Sequence, residues 1–143
     1  MRKGFTLIEI AVVVAVLAIF LLILITKGSG VRDVARAQAA AESVKSLQVA
    51  SENYIAKGRM NYTGISMAAL KTASLLPNSF NATAGNPWGG DYSISPNAGD
   101  ATKVDIGMTS VPNSAGTQLN AYFKNSADST NYDGTNQEWT GTF

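Results

Sequence analysis

Glu9 is the residue of this chain whose type and position point most directly to chemistry. It lies within Phe5–Ile25, a run of 21 residues in which only Thr6 and Glu9 are polar. A carboxylate inside an apolar helix is costly in a bilayer and marks function by default. The competing reading keeps Glu9 wet near the head-group layer, since it lies only about two turns into the run. No Lys or Arg stands between Lys3 and Lys27. A countercharge for Glu9 is therefore not expected from its own helix, and an amine created by processing is one candidate.

Other chemistry is thin. The chain of 143 residues has no Cys and no His, which removes thiol nucleophiles, imidazole bases, the usual zinc sites and any disulfide framework. Asp91, Asp100 and Asp105 are candidates for an acid–base pair, but exposed loop aspartates are the ordinary case. Asp128, Asp133 and Glu138 fit no EF-hand spacing and read as solvated charges. Gly89-Gly90 lacks the Lys and Ser/Thr of a phosphate loop. A formal charge of +1 argues against a dedicated nucleic-acid binder. No catalytic residue, metal or cofactor is expected, and the chain does not read as an enzyme.

The elements that hold Glu9 explain the charge pattern. Residues 1–71 carry 9 basic and 4 acidic groups, against 2 and 6 in residues 72–143. Met1-Arg2-Lys3-Gly4 is a positive head, which would stay cytoplasmic with everything beyond Lys27 outside. As a helix, Phe5–Ile25 would be about 31 Å long, close to a hydrocarbon core of roughly 30 Å. Val12-Val13-Val14 and Ile23-Leu24-Ile25 leave it apolar all round. A cleaved secretory signal is a poor fit, because Thr26-Lys27-Gly28-Ser29-Gly30 offers no Ala-x-Ala site.

The helix pattern resumes at Val31. Val34, Ala35, Gln38, Ala41, Val44, Leu47, Gln48, Ala50, Tyr54 and Ile55 keep a 3/4 spacing, with Arg32, Arg36, Glu42, Lys45 and Glu52 mostly off that stripe. Gly58 is placed to close the helix. One helix of about fifty residues is thus expected, interrupted only at Gly28-Ser29-Gly30, where two Gly cost about 2 kcal/mol of helix propensity relative to Ala. That segment reads either as the exit from the membrane or as a flexible joint, and the joint is favoured.

Residues 58–143 read as a small α/β head with a polar C-terminal tail. A short helix begins after the N-cap Ser66 and ends near Leu75-Leu76-Pro77. Asn86-Pro87-Trp88-Gly89-Gly90 is a turn-rich loop before a strand at Asp91–Ser95, with Tyr92 and Ile94 on one face. Lys103–Met108 alternates, burying Val104, Ile106 and Met108. A helix from about Ala115 to Lys124 bears Leu119, Tyr122 and Phe123. Beyond Asn125 a turn at Asp133-Gly134 precedes a final strand around Gln137 to Thr142. Tyr92, Tyr122, Trp139 and Phe143 read as core rather than as a ligand platform.

Arg2-Lys3-Gly4-Phe5-Thr6-Leu7-Ile8-Glu9, followed by the apolar run, resembles the class III signal of type IV prepilins and related pseudopilins. The resemblance implies that a prepilin peptidase cuts between Gly4 and Phe5 and methylates the new amine of Phe5. Glu9 then becomes the fifth mature residue and pairs with the Phe5 amine of a neighbouring subunit. Leu75-Leu76-Pro77, Asn86-Pro87-Trp88-Gly89-Gly90 and Val111-Pro112-Asn113-Ser114-Ala115-Gly116-Thr117-Gln118-Leu119 look like the head of type IVb major pilins, found in adhesive and conjugative thin pili. The chain departs from that group in lacking the Cys pair that joins the second helix to the C-terminal region. It departs also in its first mature residue, Phe5, and its leader of four residues, 1–4.

The expected fold is α+β. A long N-terminal helix, with a membrane and filament-core half at 5–27 and an amphipathic half at 28–57, packs on a small antiparallel head at 58–143. The resemblance implies a structural subunit, a major pilin, of a type IV pilus serving surface adhesion or conjugation-type cell contact. Its partners would be copies of itself in a helical filament, the bacterial inner membrane before assembly, the prepilin peptidase and the assembly platform. It would end on the extracellular surface. The alternatives are a major pseudopilin of type II secretion and, from another class, a monomeric membrane-anchored binding module.

Overall fold

The computed structural model describes the backbone of residues 7–143 and the side chains of residues 8–21 and 32–143. Gly4 and Phe5 lie outside the described residues. The chain divides into two units, Met1–Asp33 and Val34–Phe143. Helix α1 spans Leu7–Ala56 and contributes to both. It runs through residues 28–30 without a break. The expected interruption is therefore absent from the single subunit, where a penalty of about 2 kcal/mol weakens a helix without ending it.

Within Val34–Phe143, α1 buries Ala37, Ala40, Ala41, Val44, Leu47, Ala50 and Tyr54. These follow the 3/4 period of one helix face. The expected stripe is corrected at its start: Val34, Ala35 and Gln38 are exposed, and the buried face begins at Ala37. Arg32, Arg36, Glu42, Lys45 and Glu52 are exposed, as their position off the stripe requires. The helix ends where Gly58 takes φ +89°, and the N–H groups of Gly58 and Arg59 both reach Ile55 O at 3.0 Å. That left-handed conformation is the one glycine adopts without a Cβ penalty.

Helix α2, Met67–Thr72, is capped by Ser66, whose Oγ accepts from Ala69 N at 3.1 Å. Strands β1 (Tyr92–Pro96) and β2 (Val104–Met108) form a hairpin, α3 (Asn113–Phe123) follows, and β3 (Ser129–Asp133) and β4 (Glu138–Thr142) form a second hairpin. The sheet is wholly antiparallel in the order β1-β2-β4-β3, because β4 rather than β3 pairs with β2. The fold is thus the expected α+β arrangement.

Alternation along the strands sets the core face. Tyr92, Ile94, Val104, Ile106, Met108 and Trp139 are buried in one cluster with Leu119 and Phe123 of α3 and the inner face of α1. Two expectations are corrected. Tyr122 is not core but 47% exposed, since Leu119 and Phe123 occupy the buried face of α3. The tail contains a strand, β3, that its sequence Ser-Thr-Asn-Tyr-Asp conceals; only Tyr132 among its residues is packed against the core.

Candidate functional site

The N-terminal candidate is Glu9 and its surroundings. Glu9 lies in the first turn of α1, where a carboxylate suits the positive end of the helix dipole. Its side chain is exposed, and so are its apolar neighbours on every side of the helix, from Ile8 at 73% to Leu21 at 58%. Within residues 8–21, large aliphatic side chains thus stand exposed around the full circumference of the helix. Each such side chain gains about 1.5–3 kcal/mol on full burial. Among the described residues no helix is long and apolar enough to cross a membrane. Residues 1–6 and the side chains of 22–31 are not among them.

The head presents no reaction centre of the kinds considered from the sequence. Asp91, Asp100 and Asp105 each serve a different local task. Asp91 Oδ1 accepts from Ala84 N at 2.7 Å. Asp100 accepts from the Thr102 hydroxyl at 2.6 Å and the Thr102 N–H at 2.9 Å, which hold its carboxyl below the usual range. Asp105 accepts from Asn97 Nδ2 and, at 2.7 Å, from the Thr142 hydroxyl, tying the β1–β2 turn to β4. Asp128 pairs with Lys103 at 2.8 Å and raises that amine. The N–H groups of Thr135 and Asn136 hold Asp133 low while closing the β3–β4 turn. Among the described residues no group of three or more His, Cys, Asp or Glu is placed to hold a metal ion.

The Asn86–Gly90 loop is a structural hub. Asn86 is buried, donates Nδ2 to Thr109 O at 2.7 Å, and accepts from Trp88 N at 3.0 Å and Gly90 N at 2.8 Å. One amide side chain thereby replaces the regular ladder where the chain turns into β1. A Cβ at Gly90 would sit 2.1 Å from Thr109 O, so only glycine allows the loop this close to the sheet. The sequence signal was a loop; the structure makes it the clasp of β1 to the β2–α3 connection.

Two surface features escaped the sequence reading. An open trough of about 360 Å³ is lined by Val34, Ala37 and Gln38 of α1 and by Leu119, Ala121 and Tyr122 of α3. Met60, just past α1, is 97% exposed. The available signal for the second was one long apolar side chain in the polar loop Lys57–Asn61.

Two family models match the chain: PilS N terminal over residues 34–139, and prokaryotic N-terminal methylation motif over residues 1–25. The first spans well over half of the 143 residues. The chain belongs to the PilS N-terminal family and is a type IV pilin-like protein with a class III signal. No curated protein matches it, and no solved structure does.

Proposed function

We propose that the protein is the major structural subunit of a type IV pilus, made as an inner-membrane precursor and polymerised through its N-terminal helix into an extracellular filament. The observation that carries this reading is the union of a methylation motif at residues 1–25 with a pilin-like head at 34–139. Type IVb adhesive and conjugative pili, which the head motifs resemble, suggest surface adhesion or cell contact as the use of the filament. The role is structural rather than enzymatic.

The peptidase removes Arg2 and Lys3 by cutting between Gly4 and Phe5, and methylates the Phe5 amine. This exchanges a charged cytoplasmic anchor for a single ammonium at the helix start. Glu9 of a neighbouring subunit neutralises that ammonium, and two buried charges in contact offset much of each other's desolvation. The exposed apolar residues 8–21 supply the packing, with the assembly platform bringing subunits together. Intact-mass analysis of sheared filaments is expected to give a chain starting at a methylated Phe5. A start after Ile25 would instead indicate ordinary signal cleavage and end the pilin reading.

Gly28-Ser29-Gly30 serves as a joint that opens on assembly. Two glycines in one turn lower the cost of unwinding by about 2 kcal/mol. A filament reconstruction is expected to show residues 28–30 stretched or broken between helical segments 5–25 and 31–57. Substituting Ala for both Gly28 and Gly30 should hold the joint helical, and a wild-type filament with continuous helix there would contradict it.

A further inference from the structure

Sulfur chemistry in this chain falls to methionine, because there is no Cys. The fold places the described methionines in unlike surroundings. Met60, in the loop after α1, is 97% exposed. Met67 begins α2 and is half-buried against the core. Met108 ends β2 opposite Trp139 and is 1% exposed. Met1 lies outside the described residues.

A thioether reacts with a two-electron oxidant when the oxidant reaches its sulfur. With hydrogen peroxide, the sulfur lone pair attacks one oxygen and the O–O bond breaks. Sulfur is oxidised to the sulfoxide, and the peroxide is reduced to water. Met60 meets solvent, and hence the oxidant, in the folded state. Met108 is reached only when its core strand opens, which is among the costliest openings of a fold.

The same reaction has opposite consequences at the two sites. At Met108 it would place a polar oxygen in the apolar cluster that holds Ile106, Leu119 and Trp139, where an unpaired acceptor is costly. Met60 takes no part in holding its own loop. The N–H groups of Gly58 and Arg59 reach Ile55 O at 3.0 Å, Arg59 Nη1 donates to Tyr54 O at 3.2 Å, and Tyr62 N–H donates to Ala101 O at 2.8 Å. All these bonds come from its neighbours, and a sulfoxide at residue 60 leaves each of them in place.

We propose that Met60 is the preferred oxidation site among the described residues, an expendable thioether that takes oxygen from peroxide-class oxidants before Met67 and Met108 and does so without loss of structure. A methionine sulfoxide reductase, supplied with electrons by a thiol donor, would restore it. This chemistry goes beyond the filament reading and does not depend on it.

Peroxide treatment of the full chain in detergent micelles, read by peptide mass mapping, tests the proposal. Met60 should gain one oxygen at least about tenfold faster than Met108, with Met67 between them. In strong denaturant the rates should converge, which assigns the selectivity to the fold. The chain oxidised at Met60 alone should keep the unfolding temperature of the untreated chain. Met60→Leu should remove the fast phase and keep the fold, and limiting peroxide should then oxidise Met67 first. Comparable rates for Met60 and Met108 in the folded chain would overturn the proposal, as would a fall in unfolding temperature on oxidation of Met60 alone. The yield of sheared filaments reports the filament reading separately.

Discussion

Glu9→Gln is expected to leave the precursor inserted and cut after Gly4 but to abolish or nearly abolish filaments. The amide keeps the shape of the side chain and its place in the first turn of α1, so any loss reports the charge. In the membrane the carboxylate is costly. On the proposed reading, in the filament it pairs with the methylated Phe5 amine of a neighbour in apolar surroundings, where an ion pair is stronger than in water. Removing one partner leaves the other buried and unpaired, at about 3–5 kcal/mol. Glu9→Val removes the cost in the membrane as well, and is expected to insert normally while assembling no better. The measurement is sheared filament relative to total processed subunit. Near wild-type yield from both variants would show that Glu9 does not set the register, and would return the membrane-tethered monomer to contention.

Trp139→Ala is expected to destabilise the head by about 3–5 kcal/mol, the range for emptying a buried aromatic site. Trp139 on β4 is fully buried, lies 5.4 Å from the Phe123 ring of α3, and donates Nε1 to Asn120 Oδ1 at 2.8 Å. Phe143 meets the same Phe123 ring at 5.6 Å. This cluster joins α3 to the last strand, the two regions that the type IVb pilins of the resemblance join by a disulfide. Here apolar burial and one hydrogen bond do that task in a chain without Cys. Trp139→Phe keeps most of the packing but leaves Asn120 Oδ1 without its donor, so about 1–3 kcal/mol is expected. Urea unfolding of the purified subunit, followed by circular dichroism, separates the two variants. An Ala variant as stable as wild type would show that the tail is not pinned by Trp139.

The polar tail shows where pattern reading stops. Gln137–Thr142 was readable as a strand because Trp139 gave it one strongly apolar position, and β4 is observed at Glu138–Thr142. Ser129–Asp133 offered only Tyr132, whose hydroxyl lies 2.7 Å from Val111 O and 2.8 Å from Asn113 Oδ1. Its strand character comes from pairing with β4, a contact whose register no local residue encodes. A similar distinction applies to Gly116. It lies inside α3, and a Cβ there would lie 2.3 Å from the Tyr132 ring, so the gap exists to admit β3.

Sequence alone determined the Gly4-Phe5 motif, the apolar run, Glu9 and the helical period to Gly58, and in the head the strands that alternate at Tyr92 and Val104. All of these are local, written in residue type and spacing within a few turns, so composition and periodicity suffice to find them. Tertiary structure alone decided that β4 lies between β2 and β3, that Asn86 is the clasp of its loop, that Tyr122 faces outward and that Val34 and Gln38 edge a trough. Each of those depends on which distant segment covers a surface. The physical reason is that burial and long-range pairing are properties of pairs of segments, whereas propensity and periodicity are properties of one.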